Sequence, residues 1–271
     1  MTFLIENLRK KADWVWAQTL RIHQSAPEIR VASSLSPIEI LVALYYGGLM
    51  NFRPKNPFWN GRDRCIISKG HGSLCMYPIL ADLGFFPKKE LTRVCENGSF
   101  LGGIPDPIIP GYETINGSLG HGAGVGSGVA LALKKQGKPQ NVFILTGDGE
   151  LHEGSNWEAF MFAAQHELDN LIILVDNNQI SMLGPTDKIV SHLNLQEKMI
   201  SFGWDCRTVS NGHSHIETYN AIKKTIKIKQ KKPKMIIFNT KKGNRVPGLE
   251  NAPLSHVTAI KSDLIDTLIK R

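Results

Sequence analysis

Two short apolar runs, NVFILT (141–146) and NLIILV (170–175), constrain this chain more than any other feature. Both are dense in Val, Ile, Leu and Phe without regular polar alternation. That is the pattern of a strand covered on both faces. RCIIS (64–68), WDCRTVS (204–210) and KMIIFNT (234–240) read as further strands, and 153–166 and 214–230 as helices. Strands alternating with helices predict an α/β fold, a parallel sheet flanked by helices on both faces. No internal repeat or linker-like tract interrupts 1–271, so a single domain is expected.

The first third reads as helical punctuation. Residues 4–22 carry Ile5, Leu8, Ala12, Val15, Leu20 and Ile22 at mostly helical spacing. SPIE (36–39) has the form of a capping box with proline at the first helical position, which predicts that Ser36 caps a helix running to about Tyr46. Gly47-Gly48 stops that helix, and a later one should end at Gly84. Residues 97–120 hold many Gly and Pro without periodicity, a long loop of the kind that is often functional. GHGAGVGSGVALA (120–132) carries glycine at every second position in its first half. Each such glycine costs a helix about 1 kcal/mol relative to alanine, so a backbone pressed close to a cofactor or to a neighbouring chain is expected.

Composition excludes several classes. No apolar run approaches the ~18–20 residues that cross a membrane, and the N-terminus lacks the layout of a secretion signal, so a cytoplasmic protein is expected. Cys65, Cys75, Cys95 and Cys206 form no CxxC pair, which fits reduced thiols and argues against zinc. The net charge of +8 is concentrated in KKTIKIKQKKPK (223–234). Its lysines, interleaved with Ile226 and Ile228 and with no aromatics for base stacking, read as the solvated face of an amphipathic helix.

The chemistry lies where the two apolar runs stop. GDGELHEG (147–154) follows the first and DNNQIS (176–181) the second. Ligands of parallel sheets bind beyond the carboxyl ends of the strands. If these strands are neighbours, Asp148 and Asn178 face one crevice. A carboxylate, an amide oxygen and a nearby carbonyl suit Mg2+ or Ca2+, with phosphate oxygens completing the shell. The glycines beside Asp148 allow a phosphate close approach, and helix 153–166 can point its positive end at that anion.

GDGELHEG followed by DNNQI resembles the thiamine-diphosphate motif. More narrowly, SLSPIEILVALYYGGLMNF, RDRCIISKGHG, GSLGHG, GDGELHEGSNWEAF, LVDNNQI and TKKGN, in that order over roughly 30–245, resemble the N-terminal part of transketolase. The resemblance implies a thiamine-diphosphate-binding fold of the diphosphate-binding type. It implies that Asp148, Asn178 and the Ile180 carbonyl hold the metal. Gly147, Gly149 and Glu150 would line the diphosphate loop, and Gly117, Ser118 and Leu119 would lie against the cofactor. His71 and His256 match histidines of the reacting centre, with His71 also near the diphosphate. Glu153 matches a glutamate at a dimer interface that couples active sites, and His121 stands where the family often has glutamine.

The family's pyrimidine-binding and C-terminal domains have no counterpart before Arg271. The resemblance therefore implies a split enzyme, whose separate C-terminal subunit supplies the activating glutamate in an α2β2 assembly. A fragment of a longer protein is the other possibility. Aligned on SLS, Arg30 stands at one family histidine, and in FLGGIPD Ile104 stands at another. Both normally reach the donor. Their loss points to a divergent member that moves a two-carbon ketol or acyl unit, with a less hydroxylated donor such as pyruvate as one candidate. The alternatives are the α-subunit of a 2-oxo-acid dehydrogenase-type enzyme and a non-catalytic cofactor-binding subunit.

Overall fold

The computed structural model describes residues 1–270. The chain enters through α1 (Thr2–Ser25), α2 (Ala32–Leu35) and α3 (Ile38–Tyr46). It then lays down β1 (Arg64–Ile67), α4 (Met76–Leu83), α5 (His121–Lys135), β2 (Val142–Gly147) and α6 (Gly154–Gln165). β3 (Leu171–Asn177), the one-turn α7 (Thr186–Ile189), α8 (Leu195–Ser201) and β4 (Asp205–Val209) follow, and α9 (His215–Lys227), β5 (Lys234–Asn239) and α10 (Ser262–Ile269) complete it.

All described strands are parallel, in the order β1-β2-β3-β5-β4. Side chains alternate across the sheet, as strand geometry requires. Phe143, Leu145, Ile172, Leu174, Ile236 and Phe238 join the core beneath α1, α3, α4 and α9. Ile144, Ile173, Val175, Met235 and Ile237 join the opposite core with α5, α6 and α8. Both faces are covered, which is why the strands read as unbroken apolar runs.

The glycines of α5 divide into two stripes. A Cβ on Gly122 would meet the Ser68 Cα at 2.9 Å, and one on Gly126 would meet Ile144 Cγ1 at 2.9 Å. These two press the helix onto the sheet. Gly124 and Gly128 face open space.

Two expectations need correction. Ser36 does not cap α3, whose N-cap is Pro37 without a side-chain cap. Its hydroxyl is drawn instead to the buried Asp176 carboxylate, donating to Oδ2 at 2.6 Å. An ionised acceptor is the stronger attraction for that hydroxyl. The lysine-rich tract is also not one solvated helix face. α9 ends at Lys227, and Lys234 is buried in β5 with its Nζ donating to the Asp169 carbonyl at 2.6 Å.

Candidate functional site

Parallel pairing of β2 with β3 sets Gly147 opposite Asp176, so the two polar turns leave the sheet side by side. The Asp148 N–H donates to the Asp176 carbonyl at 3.3 Å. Asp148 is 2% exposed. Its Oδ2 accepts from the Thr186 hydroxyl at 3.2 Å, and among the described residues no Lys, Arg or His forms an ion pair with it. Burial, then the neighbouring Asp176 charge, pushes its pKa up to about 6. Asn178 is buried and its Oδ1 accepts from the Ile180 N–H at 3.2 Å. The expected oxygen ligands, on two neighbouring turns, thus border one cavity. Among the described residues no three His, Cys, Asp or Glu side chains cluster as a metal site. A divalent ion here must draw on amide and carbonyl oxygens and on the ligand's own oxygens.

Beneath these turns lies a buried ion pair outside the expected site residues. Lys69 Nζ donates to Asp176 Oδ2 and, at 2.9 Å, to the Ser33 carbonyl. Asp176 also accepts from Ser36, from Thr240 and, at 3.2 Å, from Asn178 Nδ2. Burial opposes its ionisation, but Lys69 and these donors hold it below the usual carboxylate range. One carboxylate thereby ties the loop after β1, the entry to α3 and the ends of β3 and β5 together. The signal was in SKGHG and VDNN, as a lysine and an aspartate at adjacent strand ends.

Glu150 plays a related part. Its carboxylate accepts from Ser68 Oγ, from the Gly120 N–H at 2.9 Å and from the Gly147 N–H at 3.2 Å. It braces the turn from within, and burial raises its pKa. The chain then forms a 3₁₀ turn over Gly149–His152 before α6 begins at Gly154, one turn later than a helix opening directly on the anion would require.

Above this frame is a cavity of about 370 Å³. Asp148, Asn178, Ile180, His71, His256, Ser33 and Lys242 all line it. The two histidine rings meet edge to face, with centroids 4.8 Å apart. Burial, with Lys69 and His256 nearby, lowers His71 to about 3, and burial, Lys242 and Arg30 lower His256 to about 4. Both are neutral near pH 7. His256 Nδ1 lies 3.3 Å from Ser33 Oγ, which leaves Nε2 as its other ring nitrogen.

Lys242, absent from the expected site, is 3% exposed. Its Nζ donates to the Ile180 carbonyl at 2.8 Å and forms no ion pair with a carboxylate among the described residues. Burial and Lys69 lower it to about 8. A buried, unpaired cation at a cavity wall calls for an anion. The signal was the second lysine of TKKGN, directly beyond β5.

Of the residues expected at the site, Leu119, Gly147, Gly149, Glu150 and Glu153 also border the cavity. Gly117 and Ser118 are exposed outside its wall, and a Cβ on Gly117 would stand 3.7 Å from Ile104 Cδ1. His121 is not brought into the cavity: it is exposed at the start of α5, bonded through Nδ1 to the Leu119 carbonyl at 3.0 Å, beside the open stripe of Gly124 and Gly128. Ile104 is 51% exposed.

Comparison with known proteins gives a consistent picture. The family description "Transketolase, thiamine diphosphate binding domain" matches residues 30–271. The chain is 35% identical over 269 residues to one of the subunits of the apulose-4-phosphate transketolase of Actinobacillus succinogenes, covering 98% of this chain and 95% of that one. It is 38% identical over 227 residues to a 6-deoxy-6-sulfo-D-fructose transketolase subunit of a Clostridium species, covering 83% and 82% respectively. A transketolase crystal structure from Campylobacter jejuni superposes with a TM-score of 0.90 at 29% identity, covering 97% of this chain but 42% of that chain.

Proposed function

The chain belongs to the transketolase family, and from that premise we propose that it is the N-terminal, cofactor-holding subunit of a two-component enzyme. The enzyme transfers a two-carbon ketol unit from a ketose to an aldehyde acceptor. The observation that carries this reading is the convergence of Asp148, Asn178, Lys242, His71 and His256 on one cavity. Two relatives are named for ketoses that carry an anionic group, a phosphate or a sulfonate, which favours a ketose donor over pyruvate.

The residues fit thiamine diphosphate with a divalent ion. Asp148 is a buried carboxylate lacking a cation, and Lys242 a buried cation lacking an anion. A metal diphosphate compensates both. Asp148, the Asn178 amide oxygen and the Ile180 carbonyl would be the ligands of Mg2+ (or Ca2+), which takes oxygen donors, once Lys242 Nζ leaves that carbonyl for the diphosphate. Lys242 Nζ would neutralise diphosphate oxygens; Gly147 and Gly149 border the same cavity, packed closely against Lys69 and Ser181. Thiamine diphosphate, when bound, supplies a carbon that stores the electron pair released as a carbon–carbon bond breaks beside a carbonyl.

The chain's own groups then hold and move protons. His71 and His256 are neutral at pH 7, so each ring has one N–H to donate to a substrate carbonyl or hydroxyl oxygen and one lone pair to accept from a hydroxyl, with Nε2 the nitrogen of His256 not engaged by Ser33. Glu153 is exposed at the cavity rim, and we assign it to a subunit interface. This chain spans 42% of human transketolase, to which it is 30% identical. We assign the remaining functions, including the activating glutamate, to a separate C-terminal subunit in an α2β2 assembly. His121 lies outside the wall of this cavity, and we assign it no role in the chemistry.

The test is to isolate the chain with its partner, load thiamine diphosphate and Mg2+, and follow turnover of ketose phosphates against pyruvate. Ketose turnover supports the reading. Turnover of pyruvate alone replaces it with acyl transfer, and a requirement for lipoamide selects the dehydrogenase-type alternative. Cofactor binding without turnover of either donor leaves a non-catalytic role.

A further inference from the structure

The segment 186–194 folds across the Asp148 turn and touches it twice. Thr186 Oγ1 donates to Asp148 Oδ2 at 3.2 Å, and His192 Nε2 lies 2.8 Å from the Asp148 main-chain oxygen. A carbonyl only accepts, so Nε2 carries the proton. His192 is itself clasped. Its ring packs on His152, with centroids 4.8 Å apart, and lies 6.4 Å from the Trp157 ring. His152 Nε2 donates to the Val190 carbonyl at 2.9 Å, two residues before His192.

Apart from the Thr186 N–H, which donates to the Gln179 carbonyl at 3.0 Å, the segment stands off the sheet behind it. A polar cleft of about 520 Å³ separates it from the ends of β3, β5 and β4, with Asn177, Gln179, Thr208 and Asn239 on the sheet side. What this segment adds to the backbone bonds of Asp148 therefore comes from its side-chain clasps.

The peptide that His192 grips joins Asp148 to Gly149. Glycine leaves such a peptide free to rotate between conformations. The Leu151 N–H already donates to that oxygen at 3.1 Å within the 3₁₀ turn; His192 adds a second donor from outside the turn, which narrows the peptide's freedom further before any ligand arrives, and pre-organisation raises affinity. We propose that His192 is a positioning residue for the metal: through Nε2–H it fixes the Asp148–Gly149 peptide, and with Thr186 it sets the direction of the Asp148 carboxylate. The inference rests on Asp148 being a metal ligand, as assigned above. His192 touches neither metal nor substrate.

The experiment is a calorimetric Mg2+ titration at saturating thiamine diphosphate, on the full chain with any partner that co-purifies. His192→Phe keeps the ring packing and loses the donor. His192→Gln restores an N–H near Nε2, and His192→Asn is too short to reach. Phe and Asn should each weaken Mg2+ binding about tenfold, the scale of one lost hydrogen bond, while Gln stays within about threefold of wild type. The melting temperature of the metal-free Phe variant should be unchanged, which separates positioning from a structural role. Should the Phe variant not fold, the contrast between Gln and Asn decides. Unchanged Mg2+ affinity in Phe or Asn, or Gln as weak as Asn, overturns the inference while leaving the role of Asp148 standing. A wild-type chain that binds no Mg2+ with thiamine diphosphate overturns both.

Discussion

Gly147 and Asp176 stand opposite each other in the parallel register of β2 and β3, and the Asp148 N–H bonds the Asp176 carbonyl. That single pairing brings the GDG turn and the Asn178 turn into one crevice. A slip of one residue would turn the alternate side chains of β3 to the other face of the sheet. The buried Lys69–Asp176 pair and the cavity above the strand ends both depend on it.

Asp148→Asn should separate binding from stability. The amide keeps an acceptor for Thr186 but removes a charge that burial and Asp176 make costly. Affinity for Mg2+ with thiamine diphosphate should fall by about 100-fold or more. The metal-free variant should be more stable than wild type at pH 8, on the order of 1–2 kcal/mol. The sign follows from linkage. A carboxyl raised to about 6 contributes stability below its unfolded value that is lost as pH rises through about 6, so the variant's advantage grows over that interval. Denaturant melts of metal-free protein at pH 4.5 and pH 8, conditions chosen to bracket that value, check it; an advantage larger at the acid end would refute the argument.

Removing one member of the Lys69–Asp176 pair should be severe. Asp176→Asn leaves the Lys69 cation buried without its counter-charge and weakens the anchor for Ser36 and Thr240. The expected loss is about 3–5 kcal/mol in urea unfolding. A loss under ~1 kcal/mol would mean that water reaches Lys69.

Alanine at successive α5 glycines should act with opposite signs. Gly122→Ala drives a Cβ to 2.9 Å from the Ser68 Cα and should cost about 1–3 kcal/mol. Gly124→Ala meets nothing within 4 Å and should stabilise the isolated chain by up to ~1 kcal/mol. Thermal melts of the two variants give the comparison, and equal shifts would contradict it.

Acid should loosen the C-terminal segment through His23. Its Nε2 accepts from the Ile260 N–H at 3.1 Å, so that nitrogen is unprotonated, and burial lowers its pKa. A depressed histidine contributes stability above its unfolded value near 6.5, lost as pH falls through the folded value. Hydrogen exchange of the Ile260 amide should accelerate as pH is lowered beyond the intrinsic pH effect, and His23→Gln should flatten that response. Identical pH profiles in both proteins would rule His23 out.

The local sequence determined much of this molecule. The strands, the glycine stop at Gly84, the irregular stretch at 97–120 and the paired turns at Asp148 and Asn178 follow from short-range rules: apolar runs, turn residues and periodicity. Those rules act over a few residues and are written in consecutive letters. Glu150 already showed their limit, since the same acid that sits in the GDGE motif turns inward to brace Gly120 and Gly147.

Only the tertiary structure decided who meets whom. SPIE carried the letters of a helix cap, yet Ser36 bonds a carboxylate 140 residues away. Lys69, Asp176 and Lys242 looked like ordinary polar residues until folding removed water from all of them. His192, 44 residues beyond Asp148, reaches its carbonyl because a loop folds back over the turn. The physical reason is the same in each case. Burial raises the cost of an unpaired polar group, and the partner that relieves it is chosen by proximity in space, which no local pattern encodes.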